Sequence, residues 1–298
     1  MSTDWHAYPV SEVMEMDKKR MMAGLLLLLC ALGLLQGHRA IPTFAPQGSA
    51  VELPVLMYHS LVTDEVRASE YVCPISRLES DLKWLRAHGY ESVSPDQLIA
   101  FARGEGTLPP KPVLLTLDDG YRNNLTLLPP LLEAYDFHAV IAVVGEYADR
   151  YTASGDDGSL HTCMSWEDTR QAAALPRVTL ACHSYYFHHI GSRMGAAKKQ
   201  GERTADWQAA FRADTDAMVN AMTARCGVTP LCYAYPYGQI AEGADAILAD
   251  LGFQITLSCY EKRSVLQSGD PGCLFSLGRF NRDGRLDTET FMKKMLET

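Results

Sequence analysis

Asp118 and Asp119 stand side by side at the end of an apolar run, and Gly120 follows them directly. The run, Val113-Leu114-Leu115-Thr116-Leu117, holds no charge and has a proline before it, which is how a strand buried on both faces of a parallel sheet reads. Ligands and chemistry collect at the carboxyl ends of such strands. Two carboxylates this close repel unless a cation or a shared proton relieves them. Alone, the triplet reads as an ordinary Asp-Gly turn. Partners downstream make it more than that, because His183, His188 and His189 follow a second apolar run over residues 178–182. Imidazole and carboxylate together suit zinc, and three protein ligands leave a position for water. One of the two aspartates with His183 and His188 would form such a set. The other carboxylate would then be free to take a proton from water, whose pKa a bound ion lowers toward about 7.

These groups need strands to place them. Residues 54–59 form another apolar run, ending in His59, and residues 139–145 a fourth. Residues 231–235 and 253–257 have the same character, the former ending in Pro236-Tyr237-Gly238. Between them lie helical patterns. Leu78, Leu82 and Leu85 share one face over residues 75–88, and Ser94-Pro95 opens a helix reaching Phe101. Residues 125–135 read as a helix restarted or kinked at Pro129-Pro130, and residues 149–161 as a polar loop. Ser165 caps a helix with Glu167 and Asp168 in its first turn. Residues 205–225, 245–251 and 288–296 complete the helical set. Strand and helix alternate throughout with no internal repeat, so the expectation is an α/β fold, a parallel sheet curled into a barrel or near-barrel. His59, Asp118-Asp119, His183 and Pro236-Tyr237 would then open on one rim.

The 298 residues have room for one large α/β domain, and a net charge of -9 excludes nucleic acid as an expected partner. Met21 to Leu35 carries no charge and is preceded by Lys18-Lys19-Arg20. That pattern fits a signal peptide or a membrane anchor, and the poor cleavage site at His38-Arg39-Ala40 favours the anchor. The expected organisation is a cytoplasmic tail over 1–20, a transmembrane anchor over 21–37, a linker over 38–50 and one domain over 51–298. It places the domain outside the cell membrane on a single-pass anchor. Of eight cysteines, Cys30 lies in the apolar run. The remaining odd number leaves at least one outside any intrachain bridge, with Cys226–Cys232 and Cys259–Cys273 as possible pairs.

Over roughly Val51 to the C-terminus the chain resembles the NodB-homology polysaccharide deacetylases, carbohydrate esterase family four. The family's first motif is matched by Thr116-Leu117-Asp118-Asp119-Gly120. The resemblance implies a distorted (β/α) barrel, Asp118 as catalytic base and Asp119 as a metal ligand. The family usually spaces its histidine pair four apart, where this chain has Phe187. A poly-N-acetylglucosamine deacetylase branch uses a spacing of five, which selects His188 and leaves His189 in reserve. Ala234-Tyr235-Pro236-Tyr237 is similar to the third motif, in which the Tyr237 N–H would help hold the oxyanion, but Ala234 replaces the motif's arginine. Arg279 and Arg282 are candidates for that arginine's part. The family's late acid histidine is missing, and the branch implies His59 in its place.

The resemblance thus implies a hydrolase holding a divalent ion, zinc by preference, on Asp119, His183 and His188. Its substrate would be the N-acetylglucosamine units of a cell-wall or extracellular polysaccharide. An O-acetyl carbohydrate esterase would use the same parts. A carbohydrate-binding protein that has lost turnover is the reading from another class.

Overall fold

The computed structural model describes residues 50–155 and 161–298. The tail, the anchor and all but the last residue of the expected linker lie outside the described residues. Among the described residues no helix is long and apolar enough to cross a membrane. Ala50 already belongs to strand β1, Ala50–Leu53. The strands that follow are β2 (Val55–Tyr58), β3 (Ser60–Val62), β4 (Val72–Pro74), β5 (Glu91–Ser92), β6 (Pro112–Leu117) and β7 (Ala139–Val143). After them come β8 (Val178–Cys182), β9 (Cys232–Ala234), β10 (Ile255–Leu257), β11 (Ser264–Gln267) and β12 (Phe280–Asn281).

Eight of these make one sheet in the order β10-β9-β8-β7-β6-β2-β12, with β5 beside the start of β6. Every pairing in it is parallel. All six residues of β6 are buried, because both faces are covered. Val113, Leu115 and Leu117 join the core under the helices Ile75–Ala87 and Arg122–Tyr135. Leu114 turns the other way, with Val140, Ala181 and Ala234, to pack with Leu98 and Phe101 of the helix Pro95–Ala102. This double coverage is why the strand reads as an unbroken apolar run rather than an alternation.

The expected barrel is only partly closed. The sheet curls but keeps two edges, β10 and β12, and the backbone between them bridges the gap. Leu277 N–H donates to Thr256 O at 2.9 Å, Arg279 N–H to Tyr260 O at 2.9 Å, and Arg282 N–H to Met57 O at 2.8 Å. Residues 277–282 thus run from the β10 edge to β2, and the fold is a curled half-barrel.

Three local expectations change. The helix Arg122–Tyr135 runs through Pro129 and Pro130 without a break and begins earlier than its leucine pattern suggests. Its buried Leu128 and Leu132 hold it to the sheet although two N–H donors are lost. A helix, Gly145–Ser154, takes up much of the expected polar loop. Its first residue must be small, since a Cβ at Gly145 would meet the Tyr185 ring at 2.5 Å. Finally, the seven cysteines of the described residues are all free, so neither Cys226–Cys232 nor Cys259–Cys273 is bridged.

Candidate active site

The ladder of β6 extends one residue past the strand, where Asp118 N–H donates to Tyr58 O at 3.0 Å. The chain then turns sharply, with Asp119 at φ 67° and Gly120 at φ 63°. Aspartate is among the few residues that tolerate this left-handed region, at a cost of about 1–2 kcal/mol. Met164 N–H donates to Gly120 O at 2.8 Å and pins the turn. The turn gives the adjacent carboxylates different partners, Asp118 meeting an arginine and Asp119 the two histidines.

Asp118 is buried and faces Arg279, which is wholly buried. The guanidinium donates to both carboxylate oxygens, Nη1 to Oδ1 at 2.7 Å and Nη2 to Oδ2 at 2.8 Å, and its Nε donates to Ser258 O at 2.7 Å. Burial alone would raise the Asp118 carboxyl, but Arg279, with His183 and His59, outweighs it and holds the group below its ordinary value. The arginine that faces Asp118 thus comes from a part of the chain distant from Ala234. Arg282 lies elsewhere: it pairs with the buried Asp81, Nε to Oδ2 at 2.6 Å, in a cluster with the Tyr58 and Thr288 hydroxyls.

His183 extends β8, its N–H donating to Val143 O at 2.9 Å. Its Nδ1 lies 2.8 Å from Ala234 O, an atom that can only accept, so Nδ1 carries a proton, and Nε2 faces the aspartates. Nε2 is 3.5 Å from Asp119 Oδ1 and 3.9 Å from Asp118 Oδ2. Ser184 then reverses the chain at φ 69°. The buried Asp214, on the helix Thr204–Cys226, accepts the N–H groups of Tyr185 at 2.9 Å and Tyr186 at 2.6 Å. That clamp shapes the loop so that His188 returns to the cleft, with Nε2 3.0 Å from Asp119 Oδ1. His189 instead meets Glu146 at 3.0 Å with its side chain 56% exposed.

Asp119, His183 and His188 offer ligand atoms all within 4.8 Å of one another. One carboxylate oxygen and two imidazole nitrogens are a donor set that fits a divalent ion. Burial opposes ionisation of Asp119, yet hydrogen bonds from His183 and His188 hold its carboxyl well below the ordinary value.

His59 and Tyr237 complete the rim. The His59 ring meets Tyr71 edge-on at 4.9 Å between centroids, and its Nδ1 is buried with no hydrogen-bond partner among the described residues. Burial lowers the imidazole's pKa, against the opposing pull of Asp118 and Asp119. Tyr237 sits at φ 56° in the turn Pro236–Gly238, its hydroxyl 3.2 Å from His188 Nδ1. All seven of these groups except Arg279 line a cleft of about 540 Å³ that also holds Tyr71, Ile190 and Met194.

Sequence reasoning overlooked Tyr121, Tyr147 and Asp214. Tyr121 lines the cleft beside Asp119, and the Tyr147 hydroxyl lies 3.0 Å from His188 Nδ1. The rim rule applied to the end of β7 would have drawn attention to Tyr147; no sequence signal marks Asp214, which acts on a loop from a helix far along the chain.

The family profile of the polysaccharide deacetylases matches residues 105–256. Poly-beta-1,6-N-acetyl-D-glucosamine N-deacetylase of Escherichia coli K12 is 30% identical over 199 residues, spanning 60% of this chain and 30% of that protein. The chain therefore matches less than a third of that relative's length. Among solved structures, the deacetylase domain of BpsB from Bordetella bronchiseptica is 27% identical with a TM-score of 0.61, covering 79% of this chain and 97% of that one. A de-N-acetylase from Aggregatibacter actinomycetemcomitans shares the fold, with a TM-score of 0.68 at 24% identity over 82% of this chain and 99% of that one. With its Asp-Asp-Gly turn, two rim histidines and curled parallel sheet, the chain belongs to the polysaccharide deacetylase family.

Proposed function

We propose that this chain is a metal-dependent hydrolase that removes N-acetyl groups from the N-acetylglucosamine units of an extracytoplasmic polysaccharide of the poly-N-acetylglucosamine type. One observation carries the reading. A buried carboxylate, Asp118, is fixed by Arg279 3.9 Å from a ligand-type nitrogen of His183, beside the three-donor cluster but outside it. In this reading Asp119, His183 and His188 hold the ion, with zinc the one the donor set suits. The ion would supply Lewis acidity and lower the pKa of water toward about 7. Asp118 takes the proton from the attacking water, and Arg279 keeps its carboxylate ionised and aimed. The Tyr237 N–H stabilises the oxyanion, and His59 protonates the leaving amine.

The reading that turnover has been lost rested on the absent motif arginine and the absent late histidine. Against it, Arg279 pairs with Asp118, which supports the first role, and His59 lines the cleft, which supports the second. Acetate release from defined β-linked N-acetylglucosamine oligomers should require added zinc and stop with a chelator. An O-acetylated sugar offered in parallel tests the esterase alternative. Release from the ester alone would overturn the amidase reading, and release from neither would favour a binding protein.

The proposed location, on a single-pass anchor with residues 51–298 outside the cell, is supported by Lys18-Lys19-Arg20 ahead of the apolar run. Protease added to intact cells should digest the large domain. A domain untouched until lysis would reverse the orientation.

A further inference from the structure

The two histidines of the cluster are held in different ways. His183 Nδ1 faces a backbone carbonyl, which accepts only, so Nδ1 always carries a proton there. His188 Nδ1 faces two phenol hydroxyls, Tyr147 at 3.0 Å and Tyr237 at 3.2 Å. A hydroxyl can donate or accept. On its other side, His188 Nε2 lies 3.0 Å from a carboxylate oxygen of Asp119, which in its ionised form only accepts. Without an ion, that contact places the proton on Nε2 and leaves Nδ1 to accept from a tyrosine. To act as a ligand, Nε2 must give up its proton, and Nδ1 must carry one and donate it.

We infer that Tyr147 is a positioning residue for His188, a partner whose hydroxyl serves both tautomers and so lets the ring change from a donor toward Asp119 into a metal ligand without moving. This rests on the assignment of Asp119, His183 and His188 as the ion's ligands. Tyr147 is suited to the task by its own support. It stands on the helix Gly145–Ser154, whose start is fixed by Gly145 N–H donating to Ser184 O at 3.1 Å and Glu146 N–H to Tyr185 O at 2.9 Å. The same contacts tie that helix to the loop carrying His188, so hydroxyl and imidazole keep their register. Arg150 lies over the other part of the ring, 5.4 Å from its centroid, and the His188 ring meets it edge-on at 5.3 Å. Tyr147→Phe removes the hydroxyl and leaves both ring contacts.

The test is zinc affinity of the full chain, measured by competition with a chromogenic chelator. Partners in this position are worth about 10–100-fold in metal affinity, and Tyr147→Phe should weaken zinc by at least the lower figure. Tyr186→Phe, on an exposed ring in the same loop, should bind as the wild type does. Nitrogen chemical shifts of the His188 ring give the second readout. Wild type should carry the proton on Nε2 without zinc and on Nδ1 with it, and Tyr147→Phe should shift the metal-free Nδ1 resonance, leaving it the longer contact with Tyr237. Equal zinc affinity in wild type and Tyr147→Phe would overturn the inference. A wild type that binds no zinc would instead sink the ligand assignment. The metal-free shifts would then decide the Tyr147 contact, an unchanged Nδ1 resonance counting against it.

Discussion

Asp118→Asn is expected to lower acetate release from an N-acetylglucosamine oligomer by about 10⁴-fold, the upper range for a positioned proton acceptor, while zinc still binds. The amide keeps the shape and one accepting oxygen but has no basic lone pair for the proton. Asp119, His183 and His188 are untouched, so equilibrium dialysis should still find one ion per chain. The substitution also removes the charge facing the buried Arg279, at a cost of about 3–5 kcal/mol for a broken buried pair. A melting curve must therefore accompany the assay, to separate a silent site from an unfolded protein. The pH dependence supplies a second check. Arg279 holds the Asp118 carboxyl below its ordinary value. The carboxylate works when ionised, so its contribution is lost only as pH falls through that lowered pKa. Wild-type kcat/KM should show no fall from this group between about pH 5 and 8, since an ordinary aspartate titrates near 3.9. Substantial turnover by a folded Asp118→Asn would refute the assignment of the base.

His59→Ala should cost about 10²–10³-fold on the amide and far less on an activated ester. An amine leaves only when protonated, whereas an activated alkoxide or phenolate needs little help, so the difference between substrates reports the acid. His59 has the access this requires because it lines the cleft. Its pKa is lowered by burial, with Asp118 and Asp119 opposing that shift. An equal loss on amide and ester would mean that His59 shapes the cleft only. No loss on the amide would pass the proton to solvent or to another donor.

Asp119 and His183 were legible because each stands at the end of an apolar run, and a parallel strand covered on both faces has no other way to read. The turn at Asp119 and Gly120, the length of β8 before His183, and the Ser165 cap follow from local backbone chemistry alone. Leucine spacing likewise placed the helix Ile75–Ala87 to within a residue. Where local rules failed, tertiary packing had overridden them: Pro129-Pro130 stays helical because Leu128 and Leu132 are held in the core.

By itself, then, the amino-acid sequence determined the parallel α/β class, the rim on which the chemistry lies and the residue types available there. Only the tertiary structure decided which of them meet. Nothing local distinguishes Arg279 from Arg282, since both are buried arginines on one short segment. One reaches Asp118 and the other Asp81 because residues 277–282 cross from the β10 edge to β2, which presents them to different parts of the sheet. His188 rather than His189 joins the cluster because Asp214, on a helix later in the chain, holds two amides of the intervening loop. Partners distant in the chain are chosen by how the sheet curls and which loops its helices pin. That choice depends on all the packed elements together, and no spacing within a motif records it.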